Sequence, residues 1–261
     1  MKKNAIVTGA GRNQGIGAEV CRALAKKGIN IYFTSFDEYD TSIGAIKSSD
    51  YCKTLDECHS FGVETYFESY DLSKYSSIKT LFDDATSKLG HIDILVNCLC
   101  VHQFDSIKTI NAPLLELNMQ TNAIAVALLC QEFYLRFEGD SGRIVNMSST
   151  QNLEPLTSEI AYAISKAVVP SITFTLAPVM ASKKITINAV NPGATEIGDE
   201  SDRNIHRYLE SNQLGRLGKP KDTANLVCFL VSDEGKWISG QTINSEGGIF
   251  RGITAFSAIE D

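Results

Sequence analysis

The sequence predicts an α/β fold in a single domain spanning 1–261: a doubly wound parallel sheet with helices on both faces. Two features carry this. Short apolar runs alternate with longer amphipathic stretches from one end of the 261 residues to the other, and a glycine-rich turn follows the first apolar run. Strand and helix in alternation require crossover connections, and crossovers make the sheet parallel. A chain of this length buries roughly three quarters of the surface its unfolded form exposes, so one core suffices without disulfides or metal.

The apolar runs at 5–7, 31–33, 63–67, 92–96, 143–147, 185–190 and 241–244 read as strands. The stretches between them predict helices near 15–27, 50–61, 74–88, 111–137, 159–181 and 221–232. Two segments do not fit the alternation: 36–49, a long polar connection after the second strand, and 197–219, a charge-rich segment after the sixth. Doubly wound sheets bind ligands at the carboxyl ends of their strands, so both are candidates for specificity loops, with a substrate lid expected near 197–219. The helix at 159–181 contains Pro170 and Pro178, and is expected to kink or end early. The carbonyl that Pro170 frees is that of Lys166, four residues back.

With 24 Lys+Arg against 31 Asp+Glu the net charge is -7, which argues against bulk binding to nucleic acid or to an anionic membrane. Any phosphate must be caught locally. Seven cysteines lie at 21, 52, 58, 98, 100, 130 and 228 without a Cys-x-x-Cys pair, which reads as reduced thiols and a cytoplasmic location. The tightest cluster, Cys52, Cys58 and His59, reads as a polar helix face, and no metal is expected. The apolar patch after Lys3 ends at Thr8-Gly9, too short for a signal-peptide core. The longest apolar run, 123–130, is too short to span a bilayer, so a soluble protein is expected.

The turn after the first strand reads Thr8-Gly9-Ala10-Gly11-Arg12-Asn13-Gln14-Gly15-Ile16-Gly17. Glycines there let the backbone approach a diphosphate, whose charge meets the exposed amides and positive dipole end of the following helix. That is the pattern of a Rossmann-type dinucleotide site, with Gly9, Arg12, Gly15, Ile16 and Gly17 as its residues. A carboxylate at the end of the second strand would hold a ribose diol and repel a 2'-phosphate. Thr34, Ser35 and Phe36 supply none, and Arg12 can reach over the adenosine ribose, so NADP is expected. NAD is the alternative if Asp37 swings inward.

Tyr162 and Lys166 lie four apart, thirteen and seventeen residues after Ser149. A helix sets such positions on one face, where a fixed cation favours a phenolate and draws the phenol down from its ordinary value near ~10. Such a phenol can give or take a proton at working pH.

With these residues in place, the chain resembles the short-chain dehydrogenase/reductase family over about 3–250. The family's glycine turn matches Thr8 to Gly17, its adenine-binding Asp matches Asp71 followed by Leu72, and its fourth-strand Asn matches Asn97. Its helix Asn matches Asn122, and its active-site Ser, Tyr and Lys match Ser149, Tyr162 and Lys166. Asn191-Pro192-Gly193 with Thr195 is similar to the turn that touches the nicotinamide amide. The resemblance implies hydride exchange between a nicotinamide and a carbonyl or alcohol carbon. Tyr162 protonates the developing alkoxide, Ser149 bonds the substrate oxygen, Lys166 lowers the Tyr pKa and holds the nicotinamide ribose, and Asn122 positions a relay water. It also implies a homo-oligomer, tetramer or dimer, formed through the helices 111–137 and 159–181, with the run 123–130 as a candidate surface.

The departures carry expectations as well. The first glycine turn has two extra residues, leaving the route of Arg12 and Asn13 open. Enoyl-thioester reductases also lengthen this turn but separate Tyr and Lys by six residues, where this chain has three, which favours carbonyl reduction. Asn97-Cys98-Leu99-Cys100 stands where the family reads Asn-Asn-Ala-Gly, so Leu99 and Cys100 are expected to narrow the pocket and weaken cofactor binding. The reading is an NADPH-dependent carbonyl reductase acting on a small molecule or acyl thioester, a 3-oxoacyl thioester first. The alternatives are an NAD-dependent secondary alcohol or polyol dehydrogenase, and a non-catalytic dinucleotide-binding sensor.

Overall fold

The computed structural model describes residues 2–42, 50–153, 155–197, 209 and 212–248. Seven parallel strands form one sheet in the order β3-β2-β1-β4-β5-β6-β7. They are β1 (Asn4–Thr8), β2 (Asn30–Ser35), β3 (Thr65–Ser69), β4 (Ile94–Asn97), β5 (Gly142–Met147), β6 (Ile185–Asn191) and β7 (Thr242–Asn244). Alternation along each strand feeds two cores. Ala5 and Val7 face a layer built with Val20, Leu24 and Val227, while Ile6 faces the other, with Ile78, Phe82 and Leu129. Both faces being covered, the strands read as continuous apolar runs.

The helices are α1 (Ile16–Lys26), α2 (Asp37–Ser42), α3 (Asp50–Ser60), α4 (Tyr75–Leu89), α5 (Ala112–Met119), α6 (Ala125–Arg136), α7 (Ile160–Ala181) and α8 (Pro220–Val231). β3 and β4 begin two residues later than the apolar runs suggest, because register against the neighbouring strand decides pairing: Thr65 opposes Ile31, and Ile94 opposes Ala5. Val63 still packs into the core from the loop.

Three further differences bear on the site. Within 36–49, expected as loop, α2 forms; Asp37, Glu38 and Asp40 in its first turn suit the positive end of a helix. Residues 43–49 lie outside the described residues. The helix expected over 111–137 is two helices joined by a π turn over Gln120–Ile124, an insertion that re-aims Asn122. α7 runs unbroken through Pro170 and Pro178 for 22 residues, held by its packing on β6 and α5. By length and mean hydropathy α7 alone among the described helices would suffice to cross a membrane.

Candidate active site

The strand order reverses between β1 and β4, and the crevice outside their carboxyl ends is where such a sheet binds its ligand. Gly9 sits there at φ 68°, and a Cβ on it would come within 2.6 Å of the Leu99 Cα. A Cβ on Gly17 would meet the Gly9 carbonyl oxygen at 2.6 Å, and one on Gly11 would collide with the Ser35 side chain. The turn is therefore pressed against the ends of β2 and β4. Gly15 caps α1 without any side-chain hydrogen bond, which leaves the first-turn amides near Ile16 and Gly17 unclaimed by a capping side chain. A backbone cradle at a positive helix end fits a diphosphate.

At the outer end of the cradle the two extra residues find their route. The Asn13 amide donates to Asp50 at the start of α3 (2.8 Å), and Arg22 donates to the Asn13 carbonyl (2.9 Å). Arg12 turns the other way and pairs with Asp40 of α2 at 3.1 Å. Burial pushes the Asp40 carboxyl up, and the Arg12 guanidinium opposes it. Ser35, at the end of β2, donates its hydroxyl to Asp37, whose own amide donates to the Ser69 hydroxyl (3.1 Å). Asp37 has thus swung toward the β2 end.

Asp71 lies past the end of β3. Burial alone would raise its carboxyl, but the Ser73 hydroxyl (2.5 Å) and the Lys74 ammonium (3.0 Å) hold it below the ordinary value. The Leu72 side chain is buried in the core. Asn97 is buried too: its amide donates to the Asn146 side chain at 2.8 Å, tying β4 to β5, so its side chain does not line the crevice.

The catalytic candidates converge where β5 ends. Ser149 follows Met147 and Ser148, and its hydroxyl lies near enough to the phenol of Tyr162 on α7 to favour the phenolate. Ser148 is buried behind it. Lys166, one turn along α7 and 2% exposed, donates to the Met147 carbonyl oxygen at 3.0 Å. The expected acidification is not what the surroundings of Tyr162 produce. Burial pushes the Tyr162 phenol well up and the Cys100 thiol adds to this, while the nearby Ser149 hydroxyl works the other way. Desolvation of the phenolate outweighs the cation, which is spent on a carbonyl dipole.

Asn122 is held on several sides. Its oxygen accepts from the Val101 amide (2.8 Å), and its nitrogen donates to the Val101 carbonyl (2.8 Å), Ser165 (2.9 Å) and Asn118 (3.2 Å). Its amide hydrogens are taken up by these partners, while the amide oxygen keeps a second lone pair. Leu99 does not narrow the pocket; it is 5% exposed and packs in the core beside Ile6. Cys100 is the exposed member of that run, its thiol against Tyr162. Cys58, expected on a polar face, is fully buried, while His59 bonds the Thr65 carbonyl at 3.0 Å.

Beyond β6, Gly193 takes φ 67° and approaches Glu246 so closely that a Cβ would lie 2.8 Å from its Cα. The Thr195 hydroxyl donates to the Pro192 (3.3 Å) and Gly193 (3.2 Å) carbonyls, which shapes the turn expected to meet a nicotinamide amide. Most of the expected lid, 198–208 and 210–211, lies outside the described residues.

Three residues at this site escaped sequence reasoning. His102 pairs with Glu159 at 3.1 Å and sets its ring edge-on to Tyr162, centroids 5.0 Å apart. Asp105 accepts from the Ile160 (2.5 Å) and Ala161 (2.8 Å) amides and so caps the helix that carries Tyr162. Tyr39 of α2 both donates to the His102 carbonyl and accepts from its amide, each at 2.8 Å. All three contacts join segments 50 or more residues apart, beyond the reach of any local pattern.

A diphosphate cradle opening on a Ser–Tyr–Lys cluster at the switch point of a doubly wound sheet defines an NAD(P)-dependent oxidoreductase. The comparisons agree. The model of a family described as Enoyl-(Acyl carrier protein) reductase matches residues 9–249. An oxidoreductase of Bacillus subtilis named YjdA is 37% identical over 255 residues, 96% of this chain and 98% of that one. The 3-oxoacyl-(acyl-carrier-protein) reductase FabG of Staphylococcus epidermidis is 31% identical, covering 96% and 100%. Among solved structures, the landomycin C-6 ketoreductase LanV, with bound NADP and rabelomycin, superposes with a TM-score of 0.81 at 25% identity over 94% of this chain and 95% of its own. This chain belongs to the short-chain dehydrogenase/reductase family.

Proposed function

We propose that the protein reduces a carbonyl to a secondary alcohol, with NADPH as donor and Tyr162 as the general acid. The observation that carries this is the convergence of Ser149, Tyr162 and Lys166 at the end of β5, where Lys166 is docked on the Met147 carbonyl oxygen at 3.0 Å and burial raises the phenol. A phenol that keeps its proton is loaded for reduction, and a developing alkoxide is basic enough to take it. Ser149 stabilises the same oxygen as charge grows. The bound nicotinamide supplies the hydride. Gly9, Gly15, Ile16 and Gly17 would hold its diphosphate, Asp71 the adenine side, and Pro192, Gly193 and Thr195 the nicotinamide side. Three residues between Tyr162 and Lys166 favour a carbonyl over an enoyl substrate.

A 3-oxoacyl thioester is the first substrate, supported by the likeness to FabG and by a groove of about 430 Å³ lined by Phe104, Pro113, Leu114 and Leu117. Phe104 also touches His102, so the groove lies beside the site. A second reading, NADH with a secondary alcohol or polyol, is favoured by one observation: Asp37 at the end of β2, where a ribose diol would sit. The free thiols support a cytoplasmic location.

Oxidation of NADPH and NADH against a panel of ketones and 3-oxoacyl thioesters tests the reaction. Tyr162→Phe is expected to abolish turnover while dinucleotide binding, followed by fluorescence, is kept. Near wild-type turnover in that variant would refute the role. Binding without any turnover by the wild type would make the chain a sensor.

A further inference from the structure

His102 is the titratable side chain that stands between Tyr162 and an acidic neighbour. Its Nε2 lies 3.1 Å from a Glu159 carboxylate oxygen, and its ring meets Tyr162 edge-on at an interplanar angle of 86°. A carboxylate only accepts, so the nitrogen facing it carries the hydrogen and the other ring nitrogen is the one that gains a proton. The imidazole is not free to wander. Tyr39 clamps its backbone on both sides, and Asp105 anchors the same loop to the start of α7. Glu159 sits three residues before Tyr162 and is 17% exposed, which keeps its charge incompletely screened.

We propose that His102 is a positioning residue that acts through Tyr162: by taking up a proton it cancels the Glu159 charge facing the phenol, and so sets how far into acid Tyr162 can serve as a base in alcohol oxidation. The proposal rests on the reading of Tyr162 as the proton-transfer residue. The charges around the pair favour it. From α7 Glu159 bears on the phenol, and from the imidazole's own loop so does the Cys100 thiol; both hold the proton on. Lys166 lies buried behind and is engaged by Met147, and on the α2 side Arg12 is paired with Asp40. His102 is the cation-forming group in direct contact with Glu159. Histidine changes charge in the range where such enzymes work.

His102→Gln separates this role from simple packing, because the amide can still donate to Glu159 but cannot ionise. On the dinucleotide-loaded enzyme, kcat/KM for the alcohol formed from its best ketone is measured across pH. At the acid end of the profile His102→Gln is expected to fall roughly 3- to 10-fold under wild type, and to rejoin it at the alkaline end. Glu159→Gln is expected to move the ascending limb about half to one pH unit toward acid. The double variant should follow Glu159→Gln with no acid-side loss. Ultraviolet difference titration of Tyr162, taken against Tyr162→Phe, should move in the same sense, and it needs no turnover. A His102→Gln loss that is uniform with pH would overturn the proposal, as would a Glu159→Gln variant with limb and phenol titration unmoved. Full turnover by Tyr162→Phe would instead sink the reading on which it rests, while the phenol titration still reports on the pair.

Discussion

Lys166 gives its hydrogen bond to the Met147 carbonyl oxygen at 3.0 Å, while Tyr162, four residues before it on the same helix, sets its ring edge-on to His102 with centroids 5.0 Å apart. The two side chains share a face but not a partner. The ammonium is docked on the end of β5, and burial raises the phenol. Loading the site with oxidised dinucleotide is therefore expected to lower the titration of Tyr162, read by ultraviolet difference spectra against Tyr162→Phe. Lys166→Met should lose at least about 100-fold in kcat and show no such change on loading.

Cofactor choice turns on Asp37 and Arg12. Asp37 lies against Ser35, and Arg12 is drawn to Asp40, so a 2'-phosphate must win the guanidinium from one carboxylate and tolerate another. Asp37→Ser is expected to raise the NADPH over NADH ratio of kcat/KM by about tenfold, and Arg12→Ala to lower it, since like charges at a binding surface discriminate strongly. A wild type that prefers NADH would establish the second reading.

Alkaline stability should depend on a buried pair of phenols. Tyr32 and Tyr70 bond each other at 2.8 Å, and Tyr70 donates onward to Asp84 at 2.7 Å. Burial pushes both phenols above their ordinary value. The folded state therefore holds these protons more tightly than the unfolded chain. Their contribution is complete below pH ~10 and is lost as pH rises beyond it. The urea midpoint is expected to drop between pH ~9 and ~11, and Tyr70→Phe to flatten that drop.

Oligomerisation is expected to run through α7 alone of the two segments that the sequence offered. The run 123–130 is mostly core: Ala123, Ala125, Val126, Leu129 and Cys130 are buried, and only Ile124 is exposed. On α7, by contrast, Phe174 is 73% exposed, and Ile164 and Val179 are exposed elsewhere along the same helix. Large exposed apolar groups on a continuous helix suit a symmetric contact. Phe174→Glu should reduce the mass seen by light scattering to that of a smaller assembly, and an unchanged mass would exclude this face.

What the sequence determined by itself is whatever depends on local spacing. Alternating runs specify a parallel doubly wound sheet, because each strand is buried on both faces. Glycines at 9, 11, 15 and 17 specify a cradle, because a Cβ at 9, 11 or 17 would strike neighbouring chain. Ser149, Tyr162 and Lys166 are recognisable from their intervals. Tertiary structure decided the rest, because it concerns which partner a polar atom meets. Nothing local could show that Lys166 would meet Met147, that Asn122 would spend its amide on Val101 and Ser165, or that Leu99 would turn into the core while Cys100 met the phenol. His102 reaches Tyr162 only because the sheet brings the end of β4 beside the start of α7, and a hydrogen bond or a charge acts over a few ångströms of space whatever the separation along the chain.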